Sequence, residues 1–313
     1  MLRNILFLFV IIVSIPLTSF TNRNSAPPVR TIIIDPGHGG SDQGAAGLIT
    51  TEAKISLEVS LKLGMQIERE IPGVKVLFTR TTDIIPGNKT NIADGLRYRA
   101  EFANTSAADL FISIHCNAAG KRPGGWNERR IVGYDEKISY VGKGSKKKKV
   151  ISKVPIYETV YVPNNASGTE TFIWAARENS HKEQMVNIGE YAKDEEGIEI
   201  PENDPTFNAL KLIYTKKYFV NSARFADLVQ NEFQKSGRIN RGVKQRNDKG
   251  IWVLHATGMP SVLVEIGFIS NKDEEEYMIS ETGQKEICDN ITTALKAYIK
   301  QLSETKAVKD QTK

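Results

Sequence analysis

The sequence predicts an α/β fold: a single domain with a mostly parallel central sheet flanked by helices and interrupted by one long insertion. Three observations carry that reading. Three short runs, residues 31–34, 110–114 and 261–264, are apolar with almost no polar alternation, as expected of strands buried on both faces. Segments of helical composition or spacing separate them. Each run also stops at a group that can do chemistry, His38, His115 or Glu265, at the carboxyl edge where open α/β sheets place their ligands. The chain has 313 residues, 40% hydrophobic and 25% charged, enough for one large domain with a core.

The N-terminus stands apart from that domain. Met1 to Asn4 carry one positive charge, residues 5–20 are almost wholly apolar, and a polar stretch follows. The run is short for a membrane span and reads as a signal peptide over residues 1–26, with an uncleaved signal anchor as the alternative. No cysteine follows it, which excludes a lipid anchor there. The expectation is an exported protein of the periplasm or cell envelope.

The elements follow in order. Strand 31–34 runs into Asp35, Pro36, Gly37 and His38, and Gly39, Gly40, Gly44 and Gly47 follow. These residues stop the strand and let the backbone approach something closely. In residues 50–70, Ile55, Leu57, Val59, Leu61 and Leu63 alternate like a strand. The length exceeds an ordinary strand, and the Glu, Lys and Leu content favours a helix. Thr50 or Thr51 is the expected N-cap, with Glu52 in the first turn.

Residues 74–78 predict a second strand, ending in Thr79 and Arg80. A loop over 84–91 precedes a helix over 92–106 carrying Arg97 and Arg99. Strand 110–114 ends in His115, Cys116 and Asn117. Residues 118–206 form the insertion. Its expected parts are a solvated basic loop over 143–149, a short strand over 169–174, a polar helix over 177–192 and a loop over 194–205. A helix over 208–234 follows, with Phe219, Ala223, Ala226 and Val229 at helical spacing. Residues 237–247 read as a basic turn, and 251–254 and 261–264 as strands. Helices over 273–279 and 284–302 close the domain, which spans 30–302, and 303–313 form a polar tail. Cys116 and Cys288 are expected as buried free thiols, because a chain this large needs no staple.

The formal net charge of +5 suits an anionic partner without deciding one. No basic stripe interleaved with aromatics is present, which argues against nucleic-acid binding. A parallel sheet gathers its strand ends at one edge, so His38, His115, Glu265 and the nearby Glu52 can converge. Two histidines and one carboxylate are the ligand set of several catalytic zinc sites. A second carboxylate then serves as the base that metal-assisted hydrolysis needs. The chain has only four histidines. His181 falls in the insertion, and His255 follows an apolar run but lacks an acidic or glycine-rich setting.

Five segments resemble, in order, the motifs of the zinc-dependent N-acetylmuramoyl-L-alanine amidases of the cell-division type: IIIDPGHGGSDQGAAG, TEAKISLEVSLKLG, VLFTRTTD, RYRAEFANTSAADLFISIHCNAA and MPSVLVEIGFISNKDEE. The resemblance covers about residues 31–117 and 207–302. It implies a twisted central sheet and one Zn2+ held by His38, Glu52 and His115, with Glu265 as the catalytic carboxylate. Arg80, Arg99 and Asn117 match positions usual in the family, with structural or substrate-binding roles. The implied reaction is cleavage of the amide between N-acetylmuramic acid and L-alanine of peptidoglycan, in wall remodelling or daughter-cell separation.

Two departures stand out: a longer segment over 87–94 and the insertion at 118–206. Some amidases of this family carry an insertion whose helix covers the zinc until an activator protein displaces it. Position and the GTETF segment resemble that arrangement, which makes Glu183 or Glu190 the expected autoinhibitory ligand. A zinc peptidase cutting within the stem peptide would use the same ligands and base. A non-catalytic wall-binding module is opposed by the presence of all four positions.

Overall fold

The computed structural model describes residues 27–188, 192–193 and 199–311; the predicted leader and Glu190 lie outside them. A six-stranded sheet of order β2-β1-β3-β8-β6-β7 forms the centre. It is built from β1 (Thr31–Pro36), β2 (Lys75–Phe78), β3 (Leu110–Asn117), β6 (Thr169–Ile173), β7 (Asn240–Gln245) and β8 (Ser261–Phe268). The first four in spatial order, β2, β1, β3 and β8, are mutually parallel. β6 pairs antiparallel with β8 and carries β7 parallel to itself. The expected mostly parallel sheet flanked by helices is therefore the observed one.

Alternation along the strands feeds two cores. Ile32, Ile34, Ile112, Ile114, Val262 and Val264 face one way, against α1 (Glu52–Glu70), α4 (Pro205–Lys235) and α7 (Glu281–Gln311). Ile33, Phe111 and Leu263 face the other way, against α2 (Ile92–Thr105) and α5 (Trp252–His255). Nearly all of these strand side chains are fully buried, which is why the runs read as unbroken apolar sequence. α1 presents Ile55, Val59, Leu63 and Ile67 to the core at helical spacing. Helix, not strand, is the right outcome of that ambiguous alternation, and Thr51 is its N-cap. α6 (Lys272–Ile279) packs on β8 and α7. Both cysteines are buried and free.

The structure corrects the reading of several segments. The insertion is not mainly loop. It holds a long antiparallel hairpin of β4 (Gly125–Val141) and β5 (Lys148–Pro163), paired from Gly125↔Pro163 to Val141↔Lys148. The basic stretch caps its exposed tip, but Lys148 and Lys149 already belong to β5. The predicted helix 177–192 shrinks to α3 (Asn179–Met185). The basic turn contains β7, and the predicted strand 251–254 is the single helical turn α5. The last helix continues to Gln311 through most of the predicted tail. Among the described residues, no helix is long and apolar enough to cross a membrane.

The hairpin explains the reversed strand. β3 ends at the carboxyl edge, and the hairpin leaves and returns there, closed at its base by a bond from Asn164 N–H to the Gly124 carbonyl at 3.1 Å. β6 must then start from that edge and run back, antiparallel to β8. This brings Glu170, the second residue of β6, opposite Glu265.

Candidate active site

His38, Glu52 and His115 come together at the carboxyl edge. Each offers a ligand atom, and these atoms lie within 4.8 Å of one another. His115 Nδ1 is 2.8 Å from Glu52 Oε1, and His38 Nε2 is 3.2 Å from Glu52 Oε2. The two rings meet edge-on with centroids 5.0 Å apart. Glu52 is buried, whereas His38 is partly exposed. Burial opposes charge on His38, but the hydrogen bonds and charges of Glu52 and Asp42 outweigh it and raise its pKa to about 9. Burial likewise opposes charge on Glu52, yet the two imidazoles hold it well below the usual carboxylate range.

Two glycines make room for this cluster. A Cβ on Gly37 would lie 2.5 Å from the His115 ring. One on Gly44, at φ +65°, would lie 2.6 Å from Glu52 Oε2 and from the His38 ring. Glu52 is placed by its own helix start, where its Oε2 accepts from Ala45 N–H at 2.9 Å and its Oε1 from Cys116 N–H at 3.1 Å. The loop before it hangs on Glu275, whose carboxylate accepts from the backbone N–H groups of Leu48, Ile49 and Thr50 at 2.7–2.9 Å.

Arg80 and Arg99 clamp the loop that presents His38. Arg80 Nη2 donates to the Gly37 carbonyl at 2.7 Å and to that of Ala53 at 2.8 Å. Arg99 Nη2 donates to the His38 carbonyl at 2.7 Å, and its Nη1 pairs with buried Asp35. Asp35 also accepts from Ser113 Oγ at 2.7 Å. Both arginines are spent on backbone and on Asp35, so their contacts are those of a scaffold.

Glu265 sits beside His115 in the β3–β8 register. It is buried at its carboxylate, and its Oε2 has no hydrogen-bond partner among the described residues. Burial first, then the neighbouring charges of Glu52 and Glu170, push its pKa up to about 8. Glu170 is held differently. Arg241 Nε and Lys244 Nζ donate to its Oε1 at 2.5 and 2.7 Å, and Asn117 Nδ2 to its Oε2 at 3.2 Å. Against the burial that opposes its charge, these cations keep Glu170 below its ordinary value.

Of the expected site residues, the structure brings His38, Glu52, His115 and Glu265 to one edge, places Arg80 and Arg99 behind the loop, and joins Asn117 to Glu170. Glu183 lies on α3, which packs against α4 and α5, and is not a partner of His38, Glu52 or His115. Sequence reasoning missed Asp42, 2.9 Å from His38 Nδ1. Its signal was its place four residues after His38 in the same glycine-rich loop. It also missed Glu170, although the GTETF segment stood out.

The model of the family described as N-acetylmuramoyl-L-alanine amidase matches residues 32–154 and 156–297. The chain belongs to the N-acetylmuramoyl-L-alanine amidase family. Amidase AmiC of Escherichia coli is 28% identical over 269 residues, covering 85% of this chain and 52% of the relative. Amidase AmiC of Neisseria meningitidis is 27% identical over 281 residues, 88% of this chain and 54% of that one. The chain thus spans about half the length of these amidase relatives. Among solved structures, the CwlD amidase from Clostridioides difficile, in complex with the GerS lipoprotein, is 25% identical with a TM-score of 0.53. That match covers 87% of this chain and 98% of the other.

Proposed function

We propose that this family member is a zinc-dependent N-acetylmuramoyl-L-alanine amidase that hydrolyses the amide between N-acetylmuramic acid and L-alanine of peptidoglycan. The observation that carries the reading is the His38–Glu52–His115 cluster beside the unpartnered, buried carboxylate of Glu265. Two imidazoles and one carboxylate are a donor set that zinc accepts with a position left for water or substrate. The converging ligand atoms fit that group, and His38, Glu52 and His115 are the residues that would hold it. When bound, zinc supplies Lewis acidity to a water and to the substrate carbonyl.

The chain's own residues do the rest. Glu265 Oε2 is free to accept a proton from the attacking water and to return it to the departing alanine nitrogen. Asp42 fixes the His38 ring so that Nε2 faces Glu52. Arg80 and Arg99 keep the 36–38 backbone in place. A small cleft lies beside His38, walled by Ile85, Pro86, Ile92 and Leu96.

The reading extends to the setting. An apolar N-terminal run supports export to the periplasm or envelope, with residues 30–302 as the catalytic unit. The complex of CwlD with the GerS lipoprotein supports a protein partner for this chain, which we propose acts as an activator. Digestion of purified cell wall by the protein, with and without a chelator, tests the reaction. Mass spectrometry should find intact stem peptides beginning at L-alanine, released only without chelator. Shortened peptides would make the enzyme a peptidase instead. Glu265→Gln should retain zinc and lose about 10²–10⁴-fold in rate; loss of zinc in that variant would make Glu265 a ligand.

A further inference from the structure

Glu178, His181 and His255 form a second group whose ligand atoms all lie within 4.8 Å of one another. None of the three touches the cluster at the sheet edge. Glu178 ends the helical turn Ala176–Glu178, His181 lies on α3, and His255 is the last residue of α5. His181 Nδ1 is 2.7 Å from Glu178 Oε2, and the two imidazole rings are 5.7 Å apart between centroids.

The second observation is on His255. The residue is 8% exposed, and its Nδ1 is buried with no hydrogen-bond partner among the described residues. A buried polar nitrogen without a partner is costly and calls for an explanation. Gly250 lies against the same ring edge. A Cβ there would sit in ordinary contact, 3.5 Å from His255 Nδ1 and 3.6 Å from Glu178 Cγ, which places the backbone of Gly250 beside both groups.

The arrangement is also held in advance. Lys182, next to His181 and fully buried, donates from Nζ to the Leu254 carbonyl at 2.7 Å, Thr257 Oγ1 at 3.1 Å and Ser261 Oγ at 3.0 Å. It fixes α3 against the residue before His255. The competing cation is Arg177, whose Nε is 3.1 Å from Glu178 Oε1, leaving Oε2 toward His181.

We propose that Glu178, His181 and His255 are a second divalent-metal site, for zinc or another transition ion that favours imidazole, joining the insertion to the core helix α5. Two histidines and a glutamate supply three ligands, and the exposed His181 leaves solvent for the fourth. The site is separate from the proposed catalytic centre and does not depend on that assignment.

The test compares the zinc content of the full chain with that of His181→Ala. Both are stripped with chelator, reloaded with zinc and freed of excess, then measured by elemental mass spectrometry and thermal unfolding. His181 is largely exposed, so this variant should fold, as circular dichroism will check. The expected result is one zinc equivalent fewer per chain in His181→Ala and a smaller rise of the thermal midpoint on zinc addition. Glu178→Gln should weaken the same equivalent at least about tenfold, by analogy with the loss of ligand-supporting groups. Equal zinc content and equal thermal response in wild type and His181→Ala would overturn the proposal and leave the pair as an ordinary ion pair.

Discussion

His38 adopts φ +57°, a left-handed conformation that costs a non-glycine residue about 1–2 kcal/mol. Arg80 and Arg99 hold it there through the carbonyls on either side, so the strain is confined to a residue proposed as a zinc ligand. Asp42 then sets the ring. Asp42→Asn should weaken zinc binding about 10–100-fold with little change in fold, as a chelator competition will read. The titrations give a further test. Without metal, Glu265 has a folded pKa near 8 against 4.5, and His38 near 9 against 6.5. Both are raised, so the folded state holds more protons than the unfolded one in these windows. Stability of the chelated protein should therefore fall as pH rises from about 4.5, through Glu265 first and then His38, to about 9, measured as the thermal midpoint. Zinc needs deprotonated imidazoles, so its stabilising effect should grow over the same range. His38, His115 and Glu265 were legible because they end unbroken apolar runs. Asp42 sits in a loop with no period to mark it, and Glu170 in a strand surrounded by irregular sequence.

At the scale of elements, the hairpin was the feature the sequence hid most. Its apolar side chains, among them Ile131, Tyr134, Ile138, Val150, Ile156 and Tyr161, are exposed, so no buried face imposes a clean alternation. The surviving signal was β-branched and aromatic content. β7 was masked for a related reason: it is an edge strand, and edge strands carry charges such as Arg241 and Lys244. The four-residue α5 could not be told from a strand, because short apolar runs lack a period. β4 and β5 pair with each other and make few contacts elsewhere. An isolated two-stranded ribbon is marginal in water, so it adds little to the stability of the sheet. Replacing residues 127–160 with a short Gly-Ser turn should leave the thermal midpoint within a few degrees of wild type, at about 4 °C or less per kcal/mol for a domain of this size. A large drop would show that the hairpin supports the core.

For the whole molecule, the buried strands of the sheet were readable, but their order, the direction of β6 and the presence of β7 were not. β1, β3 and β8 are buried on both faces, so packing alone dictates their composition. β6 and β7 take their direction from where the hairpin returns the chain, a matter of topology that no local pattern records. That hairpin divides the polypeptide unevenly in chemistry. Everything before its lysine-rich tip carries His38, Glu52 and His115, and everything after it carries Glu265. The two parts meet along the β3–β8 ladder, from Phe111↔Ser261 to Asn117↔Phe268, deep in the core. A single trypsin nick among Lys146, Lys147, Lys148 and Lys149 should therefore leave both fragments bound together under native conditions and separable only in denaturant. The protein is in this sense a natural candidate for fragment complementation, with the proposed catalytic metal ligands and the proposed proton acceptor on different fragments.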